Sequence, residues 1–208
     1  MDFAASEFNA FSDARIKNIK GISNQNKDLE TLMKIEITDY TLRDTIAKGH
    51  KVYKKVIAQQ IEKVYPQAVS KMTDVVPDIY TMAEVIKGKD KNNTIILNKH
   101  NLKVGERVKL IFGESQEIAT VKTIDANSFT VTTNMPIGNV FVFGREVNDF
   151  HTVDYEALST LNISATQALV KRLNNAEANI KAQGTLLEEQ SARLNKLESM
   201  LLKTTADR

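Results

Sequence analysis

From Val153 to about Leu202 the chain runs without proline, and its apolar residues return in alternating steps of four and three. The seam reads Leu169, Leu173, Ala176, Ile180, Gln183, Leu187, Gln190, Leu194, Leu197, Leu201. A period of 3.5 held over four heptads marks a coiled coil, not a helix lying on a globular surface. One seam position carries Leu173, Ile180, Leu187, Leu194 and Leu201, and the other includes Gln183 and Gln190. A glutamine inside a seam lowers stability but fixes register and strand number. Gly184, less favourable in a helix than alanine by ~1 kcal/mol, is expected to mark a flexible joint. A monomer offers such a helix nowhere to bury its leucines. The sequence therefore predicts a homo-oligomer.

The remaining chain is long enough for one large domain or two small ones, and 42% hydrophobic residues can fill a core. Net charge is only +2, so no strong field toward nucleic acid or an anionic membrane is expected. The local exception, Lys48, His50, Lys51, Lys54 and Lys55, reads as a solvated face. Without cysteine the chain has no disulfide framework, thiolate zinc site or cysteine nucleophile. Met1 to Glu7 lacks the basic and apolar parts of a secretory signal. No apolar run reaches the ~18 to 20 residues that span a bilayer. A soluble protein is expected.

Between the ends, Leu29, Leu32 and Met33 fall at helical spacing, Lys34 to Tyr40 alternates like a strand, and Val52 to Ile57 reads as a second strand. Gln59 to Val64 predicts a short helix stopped by Pro66. Lys87 to Asn93, charged and rich in turn formers, reads as a linker. Five short β-branched or aromatic runs follow: 94–97, 107–112, 118–124, 129–133 and 140–143. Asp125-Ala126-Asn127 makes a hairpin turn between two of them, and the set predicts a small barrel or sandwich.

Chemistry is sparse. His50, His100 and His151 stand far apart, outside any metal-ligand spacing, so no metal or cofactor is expected. Glu188 and Glu189 look like solubilising charge, and no nucleophile elbow occurs. What remains is Ser12 and Lys17. A serine hydroxyl needs a base to take its proton, and a neutral lysine amine can serve. A solvated lysine is almost wholly charged at neutral pH, so burial or a nearby cation must favour the neutral form. On spacing alone the other reading is favoured, with Ser12 capping a turn and Lys17 in solvent.

Three blocks in order carry a resemblance: Ser12-Asp13-Ala14-Arg15-Ile16-Lys17, then Val56 to Val69 with Ile57-Ala58-Gln59 and Tyr65-Pro66, then Val153-Asp154-Tyr155 leading into the long helix. Together they resemble the C-terminal intramolecular chaperone domain of phage tailspikes and tail fibres, the endosialidase type, a self-cleaving serine peptidase family. The resemblance implies a homotrimer that helps an upstream β-helical client fold and then cuts the Phe11–Ser12 bond. Ser12 would be the nucleophile and new N-terminus and Lys17 the general base, with Asp13 and Arg15 holding the turn. It implies no cofactor, no nucleic acid and no membrane. It also implies assembly in the bacterial host cytoplasm, with the parent protein in the virion tail.

The expected fold is α+β: a small mixed α/β head, an inserted β-rich subdomain, and a long C-terminal helix forming a homotrimeric coiled-coil stalk. Residues 1–11 are expected to be a remnant of the client, 12–86 the head, 87–150 the β-rich insert and 151–208 the stalk. Two departures from the family pattern stand out: Gln60 replaces a glutamate, and the insert, Thr94 to Phe150, is absent from the smallest members. Two other readings remain open. One is a non-catalytic trimerisation and attachment module at a fibre tip. The other is a membrane-tethered transcription factor with the same self-cleaving domain, against which stands the lack of a DNA-reading element.

Overall fold

The computed structural model describes residues 11–88 and 91–206, the stretch 201–206 by backbone only. Residues 1–10 of the expected client remnant, Lys89 and Asp90 of the expected linker, and the side chain of Leu201 lie outside the described residues. The chain divides into two compact units, one of residues 1–32 and 160–208, the other of residues 33–159.

In the first unit, a 3-10 turn at Ala14–Ile16 precedes helix α1, Gln25–Leu32. The Asn24 side chain accepts a hydrogen bond from the Lys27 N–H at 3.1 Å, satisfying one of the donors a helix start leaves free. Gln25, Asp28, Leu29 and Leu32 form the half-buried stripe of α1, at the spacing of one helix face. The polar half of that stripe bonds to the long helix: Asp28 accepts from Ser164, and Gln25 pairs with Gln167 and Lys171. Leu161, Ala165 and Ala168 are buried on the same long helix, at steps of four and three.

The second unit begins with a two-stranded hairpin. Strand β1, Thr38–Thr41, pairs antiparallel with β2, Val52–Lys55, across the short helix α2, Thr45–Lys48. The expected strand Lys34–Tyr40 is thus displaced toward its C-terminal end, because only Thr38 onward finds a partner. Helix α3, Ala58–Val64, buries Ile61 completely and ends before Pro66, as its sequence predicts. Strands β3, Val69–Val75, and β4, Thr81–Ile86, follow. Then come β5, Asn92–Ile96; β6, Arg107–Phe112; β7, Ser115–Asp125; β8, Ser128–Thr132; and β9, Gly138–Val153.

Seven strands are ordered β3-β9-β4-β5-β8-β7-β6, and β6 also pairs with β9. That last pairing closes six of them into a barrel and leaves no free edge within it. The barrel is one strand larger than the sequence suggested, because β4 belongs to it. Of the stretch read as a linker, 87–93, Asn92 and Asn93 instead belong to β5, which pairs antiparallel with β4. Strand β9 carries the barrel through its first half, then pairs with β3 from Val75↔Glu146 to Val69↔Val153. It runs across the 150/151 boundary drawn from sequence.

Inward residues alternate along every barrel strand: Ala83 and Val85, Asn93 and Ile95, Val108 and Leu110, Ala119 and Val121, Phe129 and Val131, Val140 and Val142 are all buried. His100, also buried, closes the β7–β8 turn. Its Nδ1 accepts from the Leu102 N–H at 3.1 Å, so Nε2 carries the proton, 3.1 Å from the carbonyl oxygens of both Asp125 and Ser128. Gly144 is needed where β9 passes the loop after β3, since a Cβ there would lie 1.9 Å from the Val76 carbonyl oxygen.

Helix α4, Tyr155–Ala206, spans 52 residues and continues as α-helix through Gly184, where a joint was expected. Asp154 caps it, its carboxylate accepting from the backbone N–H of Glu156 and Ala157 at 2.9 and 3.0 Å. No described helix is long and apolar enough to cross a membrane.

Phe129 is 1% exposed at the centre of the barrel core, so Phe129→Ala should cost about 3 to 5 kcal/mol. Met82→Ala, on the outward face of β4, should cost no more than about 0.5 kcal/mol. Urea unfolding of the two variants checks this, and equal losses would contradict the barrel core.

Candidate active site

The local structure around Ser12 is set by its neighbour. Asp13 is the cap of the 3-10 turn and accepts from the Arg15 N–H at 2.8 Å. Its carboxylate also takes the Arg15 side chain in a fork, Nε to Oδ1 at 3.0 Å and Nη2 to Oδ2 at 2.6 Å. The cap is therefore Asp13 and not Ser12, which leaves the serine hydroxyl free of the capping role. The turn closes when the Lys17 N–H donates to the Ala14 carbonyl at 3.1 Å. One turn of backbone between positions 12 and 17 brings their side chains to the same side, and Lys17 Nζ donates to Ser12 Oγ at 2.7 Å.

All five sequence-predicted residues of this site are thus placed together. Phe11, the residue before Ser12, is 98% exposed, and Ser12, Asp13, Arg15 and Lys17 are exposed as well. A lysine nitrogen at this distance lies within proton-transfer reach of a hydroxyl. A charged ammonium can only donate, whereas a neutral amine at the same position can accept the hydroxyl proton. The open turn supplies the geometry of a nucleophile and base but not a dry environment around them.

The chain leaves this turn through Ile16, Ile19 and Ile22, each at least 69% exposed, and reaches α1. There Ser23 Oγ donates to Asp28 Oδ2 at 2.6 Å, so Asp28 holds both the approach to α1 and Ser164 of α4.

In the second unit, the segment around α3 carries a polar network that sequence reasoning missed. Glu62 on α3 pairs with Lys71 of β3 at 2.8 Å and with His151 of β9 at 3.1 Å. The Lys71 ammonium, and after it the His151 ring, hold the Glu62 carboxyl below its usual range, and Glu62 in turn raises Lys71. No motif joins these three positions, so only the pairing of β3 with β9 could reveal them. The departure at Gln60 has a local reason. Its Nε2 donates to Glu36 Oε2 at 2.7 Å and its Oε1 accepts from Thr38 Oγ1 at 3.2 Å. A glutamate at position 60 would set one carboxylate against another. Among the described residues, no cluster of three or more His, Cys, Asp or Glu is arranged to hold a metal.

The side-chain bond from Arg15, with its backbone N–H second, lowers the Asp13 pKa. A lowered folded-state value means the pair contributes above the ordinary carboxylate range, about pH 4. The contribution is lost as pH falls through the lowered value. An exposed pair of this kind fixes local geometry more than global stability. NMR titration should therefore give Asp13 a lower midpoint than in the Arg15→Gln variant, and equal midpoints would remove Arg15 as the cause.

No curated protein matches the chain. A family model described as chaperone of endosialidase, of the peptidase class, matches residues 12–70. The match opens on Ser12 itself and runs through the 3-10 turn, α1, the β1–β2 hairpin and α3 to the start of β3. Over residues 12–70 the chain is thus similar to the chaperone-of-endosialidase domain.

Proposed function

We propose that this chain is an intramolecular chaperone that assembles as a parallel homotrimer on an upstream phage tail fibre or tailspike and then releases itself by cutting the Phe11–Ser12 bond. The observation that carries the reading is the 2.7 Å contact between Lys17 Nζ and Ser12 Oγ at the first residue of the family match.

The chemistry balances without a cofactor. Ser12 Oγ attacks the Phe11 carbonyl carbon as Lys17 Nζ takes the hydroxyl proton. The C–N bond breaks, the proton passes to the Ser12 nitrogen, and an ester joins Phe11 to Ser12 Oγ. Water hydrolyses that ester, leaving a Phe11 carboxylate and a free Ser12 amine. Asp13 and Arg15 hold the turn that presents the bond. Desolvation favours the neutral amine of a lysine, so a neighbouring chain covering this exposed turn would switch the base on. Cutting then waits for assembly.

The stalk supports association of identical chains. Leu173, Ile180, Leu187, Leu194 and Leu197 remain 51 to 67% exposed on α4. Flanking positions five residues apart pair across neighbouring helices in a parallel coiled coil. Here they set Arg172 against Glu177, and Arg193 against Glu198. An antiparallel arrangement would bring arginine toward arginine instead. The parallel register places three client ends side by side. That raises their effective concentration and shortens a search that threaded β-helical strands otherwise make slowly. Removal of the clamp leaves the client held by its own unfolding barrier.

Ser12→Ala and Lys17→Ala, each fused to the native client, should give only uncut chain on a gel. Lys17→Arg should behave the same, because a guanidinium does not deprotonate in proteins. Normal cutting by Lys17→Ala would end the dyad assignment. Each seam leucine buried in a trimer contributes about 1.5 to 3 kcal/mol, and Leu194→Asp would bring three carboxylates together in its place. That variant should sediment as a monomer at micromolar concentration and stay uncut. A monomer that still cuts at Ser12 would show the site to be complete in one chain.

A further inference from the structure

Two glutamines interrupt the seam of α4, and their surroundings differ. We infer that the Gln183 layer of the stalk is a binding site for a monovalent anion, one chloride or bromide ion held on the trimer axis by three carboxamide groups. The inference rests on the parallel trimer proposed above and adds a ligand to it.

In that trimer the three copies of Gln183 meet at one level, seven residues from the three copies of Gln190. At 1.5 Å per residue the layers lie about 10 Å apart. Ile180 and Leu187 close the Gln183 layer on either side, so its amides find no polar partner along the seam. Each carboxamide has two N–H donors and one carbonyl acceptor. Around a threefold axis, one N–H of each amide can donate to the carbonyl of the next chain. The second N–H of each is then left over, and a buried donor without a partner is destabilising. Three identical donors converge on a point where symmetry supplies no acceptor. A desolvated halide accepts all three at once. A water molecule on the axis would bring two protons of its own into a ring of donors.

The neighbours select this layer over the other. The residue after Gln183 is Gly184, which has no side chain and no atom within 4 Å of the place where a Cβ would stand. Thr185 is unavailable too, since its hydroxyl donates to the Lys181 carbonyl at 3.2 Å. From Ala178 to Leu187 the only charged side chain is Lys181, so three ammonium groups surround the layer with no carboxylate among them. Gln190 sits beside Glu188 and Glu189, which repel an anion, and beside Ser191, whose hydroxyl can both donate and accept. The Gln183 layer has the unmet donors and the favourable field together.

The test uses the full chain and begins with sedimentation, which establishes the trimer. Crystals soaked in sodium bromide should show an anomalous peak on the threefold axis at Gln183 and none at Gln190. In solution, replacing sodium fluoride by sodium chloride at constant ionic strength should raise the thermal midpoint of the trimer. Gln183→Leu should abolish that shift while remaining trimeric, and Gln190→Leu should keep it. A trimer without the axial bromide, or a chloride shift that survives Gln183→Leu, overturns the anion site and leaves the proposed function standing. A wild-type chain that is not a trimer overturns both.

Discussion

A 52-residue helix whose described seam leucines stay more than half exposed is the constraint on which the rest of this molecule depends. Water-exposed leucines at a 3.5-residue period cannot be buried by curling the chain on itself, because a straight helix presents them along one line. Association of identical helices removes them from water, and the Arg172–Glu177 and Arg193–Glu198 spacings favour doing so in parallel. The barrel makes no such demand. Its six strands close on themselves, and its apolar residues from Ala83 to Val142 are already inside. One part of the chain buries its apolar residues within itself, and the other leaves its described seam residues exposed.

The same incompleteness recurs at the N-terminal turn. Ser12 and Lys17 are in contact, yet they stand in solvent beside a fully exposed Phe11 and a run of exposed isoleucines. A nucleophile and base arranged this way have their distance set by local structure and their environment left open. The Asp13–Arg15 fork explains the first half of that statement. It spans two residues and needs no tertiary support, so the turn can form before the chain has assembled. The second half is what a neighbouring copy would change, by excluding water from the lysine. Under the proposed function, geometry prepared locally and environment supplied by assembly would together give a cut that follows folding.

Much of this was legible in the sequence, and the failures have physical causes. Helix α4, helix α3 before Pro66, and strand β6 lie within a few residues of where periodicity and breakers put them, because long regular patterns and proline act locally. Strand β4 was missed, since Met82 and Ile86 on its outward face blur the alternation that Ala83 and Val85 set inward. The stretch 87–93 was misread because charged turn formers look alike in a linker and in a hairpin. Ser12 and Lys17 were singled out by the motif, but five-residue spacing alone could not say whether their side chains meet. That depended on Asp13, rather than Ser12, capping the turn. The links from Glu62 to Lys71 and His151, and from Gln60 to Glu36, belong to strand pairing and tertiary contact, which no local pattern encodes. The arginine and glutamate pairs flanking the seam were present to be read, and the proposed parallel stalk rests on them.

Intact mass of the purified trimer, followed over time from expression, tests the central claim most directly. If the turn at Ser12 is a self-cutting site switched on by assembly, the trimer should convert to a chain beginning at Ser12 with a free amine. The segment ahead of it, client included, should be released with Phe11 at its C-terminus. A stable trimer that keeps only the full-length mass, with its client folded, would contradict the account and leave the stalk as a permanent clamp.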